Sequence, residues 1–135
     1  QVRLLAEALR LGGLDVITTR EPGGTPQAER IRDLLLQRDS DHFDPMTEAL
    51  LLFAARREHL VKKIIPAVDA GQWVVSDRFA DSSRAFQGYG MGLDLRVIDD
   101  LYRLVAGDFA PDLTFVFDID PELGLARSGR KKQTT

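Results

Sequence analysis

The sequence contains no cysteine among its 135 residues. Disulfide bonds, cysteine-ligated metal sites and thiol catalysis are therefore excluded, and the absence is typical of an intracellular protein. Histidine is also scarce, because His42 and His59 are the only two. Their spacing matches no metal-binding pair, so we expect both to be ordinary core or surface side chains.

Long apolar runs and a strong excess of one charge are also missing. No run approaches the ~20 apolar residues that a membrane-spanning helix needs. The net charge of -3 provides no basic field that would hold nucleic acid by charge alone. We therefore expect neither a nucleic-acid partner nor a membrane, and we expect a cytoplasmic protein.

What is present is the composition of a globular domain, with 44% hydrophobic and 29% charged residues. The length suits one domain with a core of its own. The chain starts at Gln1, already inside an amphipathic pattern, and stops at SGRKKQTT, soon after a predicted helix begins. We therefore expect residues 1–135 to be a single domain truncated at both ends, a piece of a longer protein.

Apolar periodicity predicts alternating helices and strands. The predicted strands are short and almost continuously apolar, which is typical of a parallel sheet. The pattern predicts an α/β fold with a parallel sheet that helices cover on both faces. The predicted helices are 2–11, 26–37 with Thr25 as its cap, 46–70 in which Pro66 causes a kink or marks the last turns, a short one within 78–88, 93–107 and one starting near Pro121; the predicted strands are 14–19, 72–77 and 113–119.

Charged residues follow each predicted strand: Arg20-Glu21, Asp77-Arg78 and the pair Asp118 and Asp120. Ligands of parallel sheets bind outside the carboxyl ends of the strands. Arginine binds phosphate through two parallel hydrogen bonds, and a carboxylate beside a phosphate commonly holds Mg²⁺. These strand ends indicate a phosphate ester and a metal in one crevice. A structural salt bridge between Asp77 and Arg78 at a sheet edge is the alternative.

The loop REPGGTP adds to the anion site. Gly23 and Gly24 let backbone amides approach an anion closely, and the helix that begins near Pro26 directs its positive end to the same place. A plain turn at the two glycines is the alternative.

Two helical segments could line a base pocket. Phe53 lies three residues before Arg56 and four before Arg57, so the ring shares a helix face with one guanidinium. Ser83 and Gln87 lie four apart and could read donors and acceptors on a base edge. The alternatives are an aromatic core residue followed by solvated arginines, and a capped short helix.

The motifs TREPGGTPQAERIR, LLFAARREHLV, DRFADSSRAFQG and GDFAPDLTFVFDIDPELGLAR, in this order, closely resemble bacterial thymidylate kinase from Leu14 to about Arg127. The resemblance implies a P-loop nucleoside monophosphate kinase fold. It also implies transfer of the γ-phosphoryl group of ATP to dTMP, giving dTDP for dTTP synthesis, with Mg²⁺ and as a homodimer.

The resemblance also implies roles for individual residues. Phe53 would stack on thymine, and an arginine one turn later would bond its O4. Many relatives place the two residues four apart, which selects Arg57, whereas an alignment without a gap selects Arg56 and places Leu52 at the stacking position. Phe53 with Arg56 is favoured, and Arg57 stays open. Arg78 and Asp77 would be the catalytic pair, with Arg78 on the phosphate and Asp77 near Mg²⁺. The full set expected to bind dTMP is Glu21, Arg32, Phe53, Arg56, Arg57, Arg78, Ser83, Phe86 and Gln87.

One family feature is missing, because no G-x-x-x-x-G-K-[ST] run occurs in these residues. Arg127 and Arg130 could begin a basic lid over ATP, although GRKKQTT does not match the expected lid and could be a frayed tail. Two other functions therefore stay open. One is a non-catalytic domain that binds dTMP or self-associates, and the other is a kinase for another nucleoside monophosphate.

Overall fold

The sheet consists of two parallel strands, and the charged residues singled out above at 20–21 and 77–78 lie at the edge where both strands end. In a computed structural model, which describes residues 1–37 and 41–131, β1 (Val16–Arg20) pairs in parallel with β2 (Trp73–Asp77). Val16 lies opposite Trp73 and Arg20 lies opposite Asp77, so both strands end at the same edge. The parallel pairing and the shared edge were both predicted from the sequence, and both are confirmed for these two strands.

Helices lie before, between and after the strands, as the α/β prediction required. Helix α1 contacts both strands, and α4 contacts β2. None of the helices in the described ranges is long and apolar enough to cross a membrane. The helices are α1 (Val2–Leu11), α2 (Pro26–Leu36), α3 (Pro45–His59), α4 (Ile65–Asp69), α5 (Ala80–Ser83), α6 (Leu95–Ala106) and α7 (Pro121–Lys131).

The starts of α2 and α3 follow from their capping residues. The side chain of Thr25 accepts a hydrogen bond from the backbone N–H of Ala28, and Pro26 occupies the first helical turn. Asp44 accepts one from the backbone N–H of Thr47 in the same way. A side-chain oxygen at this position satisfies a backbone donor that the helix itself leaves unpaired. The predicted cap at Thr25 is confirmed.

The long helix predicted over 46–70 is present but changes its winding. A π-helical turn, Leu60–Ile64, separates α3 from α4, and Pro66 is the second residue of α4. Proline has no N–H, so the carbonyl one turn earlier loses its helical partner, and the wider turn lies directly before this position. The predicted disturbance at Pro66 therefore takes the form of a π turn on its N-terminal side.

The hydrophobic core lies between α3, the π turn and α6. Its buried members are Phe53, Leu60, Ile64, Ile98 and Val105. Full burial of such a side chain stabilises the fold by roughly 1.5–3 kcal/mol. Helix α6 ends before Gly107, as predicted, and Gly107 has a positive φ of 58°. This core fixes the position of α3, which carries the arginines of the candidate site.

The prediction of a third strand over 113–119 is wrong for this structure. The segment has no assigned strand, and its apolar side chains are exposed, up to 86% for Val116. A strand exists only where a neighbouring backbone completes its hydrogen bonds, and an apolar run does not reveal whether that neighbour is present. No such ladder reaches 113–119 from the described residues.

The carboxylates after that segment are consequently not brought to the sheet edge. The Oδ1 atom of Asp120 accepts hydrogen bonds from the backbone N–H groups of Glu122 and Leu123, at 3.0 and 3.2 Å. Asp120 therefore caps the start of α7. The expectation that Asp118 and Asp120 join a three-strand site is corrected to a site at two strand ends.

Candidate functional site

The site begins where the two strands end. The backbone N–H of Glu21 donates to the carbonyl oxygen of Asp77 at 3.0 Å, which extends the ladder one step beyond β1. Arg20, Glu21, Asp77 and Arg78 therefore meet at one edge. The side chains of Asp77 and Arg78 are exposed there, whereas that of Glu21 is buried.

Glu21 is buried because it forms an ion pair with α3. Its Oε2 atom lies 2.7 Å from Nε of Arg56, and the two side chains are only 4% and 3% exposed. The terminal nitrogens of the guanidinium donate to Oγ of Ser83 at 3.3 Å and to the carbonyl oxygen of Phe79 at 3.4 Å. A buried charge pair is tolerated only when its remaining donors are satisfied, and Arg56 meets that condition.

His59 completes this pair from the other side. Its Nδ1 atom lies 3.2 Å from Oε1 of Glu21, and its Nε2 atom lies 2.6 Å from Oγ1 of Thr19. The expectation of an ordinary core or surface histidine did not anticipate these contacts. His59 follows Arg56 by three residues, which places both on one helix face, and this spacing was the available signal.

Two aromatic rings enclose the Arg56 guanidinium. Its central carbon lies 4.5 Å from the centroid of Phe53 and 5.6 Å from that of Phe79. Such contacts favour a fixed cation over an aromatic face. Phe53 is only 1% exposed, so its ring is presented to Arg56 rather than to solvent. Stacking of a base on Phe53 stays a prediction, and it requires neighbouring side chains to move.

Arg57 lies outside this cluster, although the sequence left it open as an alternative to Arg56. Its side chain is exposed and donates to the carbonyl oxygen of Val105 in α6 at 2.8 Å. Helical geometry separates adjacent residues by about 100°, so only one of the two arginines can face Glu21. The geometry favours Arg56 for the predicted role.

The loop REPGGTP, called the glycine loop below, is held in place by a side chain of α2. Oε1 of Glu29 accepts the backbone N–H of Gly24 at 2.9 Å, and Oε2 lies 3.2 Å from Nη2 of Arg20. The N–H of Gly24, together with Arg20 and Arg32, holds the pKa of the Glu29 carboxyl below its usual value. The backbone N–H of Gly24 was predicted to approach a bound anion. In this structure it donates instead to a carboxylate of the chain itself, that of Glu29.

Arg32 supports the same loop. Its Nη1 atom donates to the carbonyl oxygen of Pro22 at 3.0 Å, and its side chain is half-buried. A direct contact of Arg32 with a phosphate stays a prediction.

Arg78 has an unusual backbone. Its φ of 70° lies in the left-handed region, where side chains with a Cβ atom are strained. The hydroxyl of Ser76 donates to its carbonyl oxygen at 2.7 Å, and its guanidinium carbon lies 5.3 Å from the Phe86 ring centroid. Strain of this kind commonly marks functional positions. The exposed guanidinium is thereby directed from the end of β2 toward a half-exposed ring.

Gln87 lies in the π-helical segment Arg84–Gly90 and is buried. Its Nε2 atom donates to Oε1 of Glu48 in the first turn of α3, at 3.0 Å. Sequence reasoning did not single out Glu48, which looks like an ordinary acidic residue at a helix start. Ser83 and Gln87 thus both face α3, as their spacing suggested.

The structure gives fewer contacts for the residues that were assigned to ATP and to the metal. Arg127 is exposed on α7, and the side chain of Arg130 lies outside what the structure describes. Among the described residues, no group of three or more potential ligands could form a complete metal cage. Asp77 is an exposed carboxylate at the edge where Arg78 lies.

Comparison with known proteins identifies the family. The family model described as thymidylate kinase matches residues 1–135. A thymidylate kinase of Pseudomonas fluorescens strain SBW25 is 53% identical over 127 residues, covering 94% of this chain and 60% of that protein. One of Ruegeria pomeroyi is 54% identical over 129 residues, covering 95% of this chain and 60% of that protein.

A solved structure agrees with this fold. The crystal structure of thymidylate kinase from Ehrlichia chaffeensis superposes with a TM-score of 0.81 at 40% identity, covering 98% of this chain and 79% of that one. The chain spans about 60% of the length of the curated relatives described above. With its matched family model, its relatives and its fold in agreement, the chain belongs to the thymidylate kinase family.

Proposed function

We propose that this chain forms, as one domain, the dTMP-binding part of an enzyme that transfers the γ-phosphoryl group of ATP to dTMP. The observation that carries the proposal is the meeting of the Asp77-Arg78 strand end with the Glu21–Arg56–Ser83 cluster. The first supplies charge for a phosphate. The second lies among buried polar groups suited to reading a base.

The phosphate would lie at the sheet edge. Arg78 is exposed and permanently charged, so it can bind a phosphate with two parallel hydrogen bonds. No general base is required, because a phosphate oxygen of dTMP is already nucleophilic. The contribution of these residues is therefore positioning and neutralisation of charge.

A magnesium ion fits the residues at this edge. Mg²⁺ is commonly held by one or two carboxylates together with substrate phosphates and water, so a complete protein cage is not required. Asp77, exposed beside Arg78, would hold the ion. When bound, the ion would supply neutralisation of the charge that develops on the transferred group.

The ATP side is supported more weakly. The residues present contain no G-x-x-x-x-G-K-[ST] run, so they do not fit the usual cradle of the ATP phosphates. Arg127 on α7 is the described residue that we assign to ATP, and no step of the reaction is derived from it. A domain that binds dTMP without catalysing transfer stays the alternative.

We also propose a cytoplasmic location and a homodimer. Both rest on the family to which the chain belongs. The absence of cysteine supports the first, since intracellular proteins seldom depend on disulfides. Sedimentation of the purified chain would test the second.

Calorimetric titration of the 135-residue chain with dTMP, and with dGMP in parallel, tests the proposal. We expect saturable dTMP binding and no comparable binding of dGMP. Arg78→Ala should abolish dTMP binding and keep the fold, while Arg96→Ala, which removes an exposed arginine paired with Asp94, should bind normally. A folded chain that binds neither nucleotide, or both equally, would contradict the proposal. Measuring dTDP formation with ATP and Mg²⁺ then separates the kinase from the binding domain.

A further inference from the structure

The amide of Gln87 has one satisfied end and one unsatisfied end. Nε2 donates to Oε1 of Glu48 at 3.0 Å, whereas Oε1 of Gln87 is buried and has no donor within the residues described. Gln87 is 3% exposed, so bulk solvent does not reach this oxygen. An unpaired buried carbonyl oxygen costs free energy, and native proteins rarely retain one without a use for it.

Glu48 determines which end of the amide is unsatisfied. An ionised carboxylate only accepts hydrogen bonds, so it can bind the NH₂ group of Gln87 but not its oxygen. The amide of Gln87 is therefore fixed with its NH₂ group toward α3 and its oxygen away from Glu48. Glu48 occupies one of the two N–H donors of the NH₂ group. The oxygen, which points away from Glu48, is the end of the amide that can accept from a third group.

Ser83 lies one turn earlier, and its contacts leave it a donor where Gln87 is left an acceptor. Its Oγ atom accepts from both terminal nitrogens of Arg56, each at 3.3 Å. A hydroxyl has two acceptor positions and one proton, so these contacts leave the proton as the remaining hydrogen-bonding group. Ser83 and Gln87 together therefore present one donor and one acceptor.

We propose that Glu48 is a positioning residue that sets the base preference of the site by fixing the direction of the Gln87 amide. The acceptor of Gln87 and the donor of Ser83 match a pyrimidine with a ring N–H next to a carbonyl oxygen, as in thymine and uracil. Cytosine presents an unprotonated ring nitrogen at that position and would leave the Gln87 oxygen facing another acceptor. The inference rests on the proposed function, since it assumes that Ser83 and Gln87 face the base. Because the oxygen is buried, the side chains that cover it move when the ligand enters.

The first test compares dTMP with dCMP in calorimetric titrations of the whole chain and of its Glu48→Gln variant. Glutamine at this position can offer either its oxygen or its NH₂ group to Gln87, so the amide is no longer held in one direction. We expect the ratio of the dCMP to the dTMP dissociation constant to fall by roughly tenfold or more. Glu58→Gln is the matched control, because this residue lies on the same helix and pairs with Lys62 at 2.8 Å. It should leave the ratio unchanged.

The second test exchanges the two groups. In the double variant Glu48→Gln, Gln87→Glu, the carboxylate accepts from the new amide and still presents an oxygen to the base. The preference for dTMP should return, which a purely structural role for Glu48 would not produce. If the single variant does not fold, as judged by its thermal melt, the double variant decides in its place.

The outcomes separate the two proposals. If the unchanged chain binds dTMP and the single variant keeps the same ratio, the role of Glu48 is overturned and the proposed function stands. If the double variant folds without recovering the preference, the role of Glu48 is likewise overturned. If the unchanged chain binds no dTMP, the proposed function fails, and the inference fails with it.

Discussion

The carboxylate of Glu21 and the guanidinium of Arg56 meet at 2.7 Å, with both side chains excluded from water. One comes from the residue that follows β1 and the other from the last turn of α3, 35 positions later. In the proposed function, this contact joins the phosphate side of the site to its base side. Its strength can be measured, because the neighbouring Arg57 provides a control of the same residue type.

Removing Arg56 should destabilise the protein strongly. Arg56→Ala leaves Glu21 as a buried charge without its partner, a change that typically costs about 3–5 kcal/mol. Arg57→Ala loses one hydrogen bond to the Val105 carbonyl from an exposed side chain, and should cost about 0.5–1.5 kcal/mol. Urea denaturation of both variants gives the comparison. Equal losses would show that the buried pair contributes no more than an ordinary surface contact.

Gly24 should tolerate no side chain. A Cβ atom there would lie 2.4 Å from Nε2 of His59 and 2.7 Å from Oγ1 of Thr19, and the φ of +91° is itself unfavourable for other residues. Gly92 has a φ of +76° but no atom within 4 Å of the corresponding position, so it isolates the backbone effect.

We expect Gly92→Ala to cost about 1 kcal/mol from the backbone alone. Gly24→Ala should cost a further ~1–3 kcal/mol, because the His59–Thr19 contact has to give way. Thermal unfolding of the two variants tests this difference. If Gly24→Ala is no worse than Gly92→Ala, the loop does not pack against His59 as described.

Two substitutions of Arg78 should differ in their effect on stability but not in their effect on dTMP binding. Arg78→Gly relieves the strain of the 70° φ, whereas Arg78→Ala keeps it, so the glycine variant should be more stable than the alanine variant by about 1 kcal/mol. Both variants lose the guanidinium and should lose dTMP binding alike. Denaturation together with calorimetry checks both parts, and normal binding by either variant would place the phosphate elsewhere.

Glu29 should make the protein more stable at neutral pH than at acid pH. Its pKa is lowered in the folded state, chiefly by the Gly24 N–H and then by Arg20 and Arg32. Its contribution is therefore fully present above the ordinary glutamate pKa and is lost as the pH falls through the lowered folded-state value. The stability difference between the unchanged chain and Glu29→Gln should be present at pH 7 and should shrink below about pH 4.

The acid-dependent difference is measured by urea denaturation of both proteins at a series of pH values. Asp94→Asn serves as a comparison, since Asp94 is an exposed acid whose pKa is lowered by Arg96 far from the glycine loop. A constant difference between the unchanged chain and Glu29→Gln from pH 7 to pH 3 would contradict the contact with Gly24.

Much of the fold and part of the candidate site could be predicted from the sequence. Apolar periodicity located the helices and two parallel strands, and Thr25 marked the start of α2, because these signals are local and depend on residues a few positions apart. The motifs, read as short runs of matched residues, pointed to the family. The meeting of Glu21 with Asp77 also followed, since the ends of parallel strands share one edge.

Tertiary structure decided the rest. The run 113–119 has the composition of a strand, but strand formation depends on a neighbouring backbone, and composition does not contain that information. The choice between Arg56 and Arg57, the contacts of His59 and the proposed control of Gln87 by Glu48 depend on contacts between residues up to 48 positions apart. Sequence spacing orients side chains along one helix, whereas the burial of a charge and the direction of an amide are set by groups that only packing brings together.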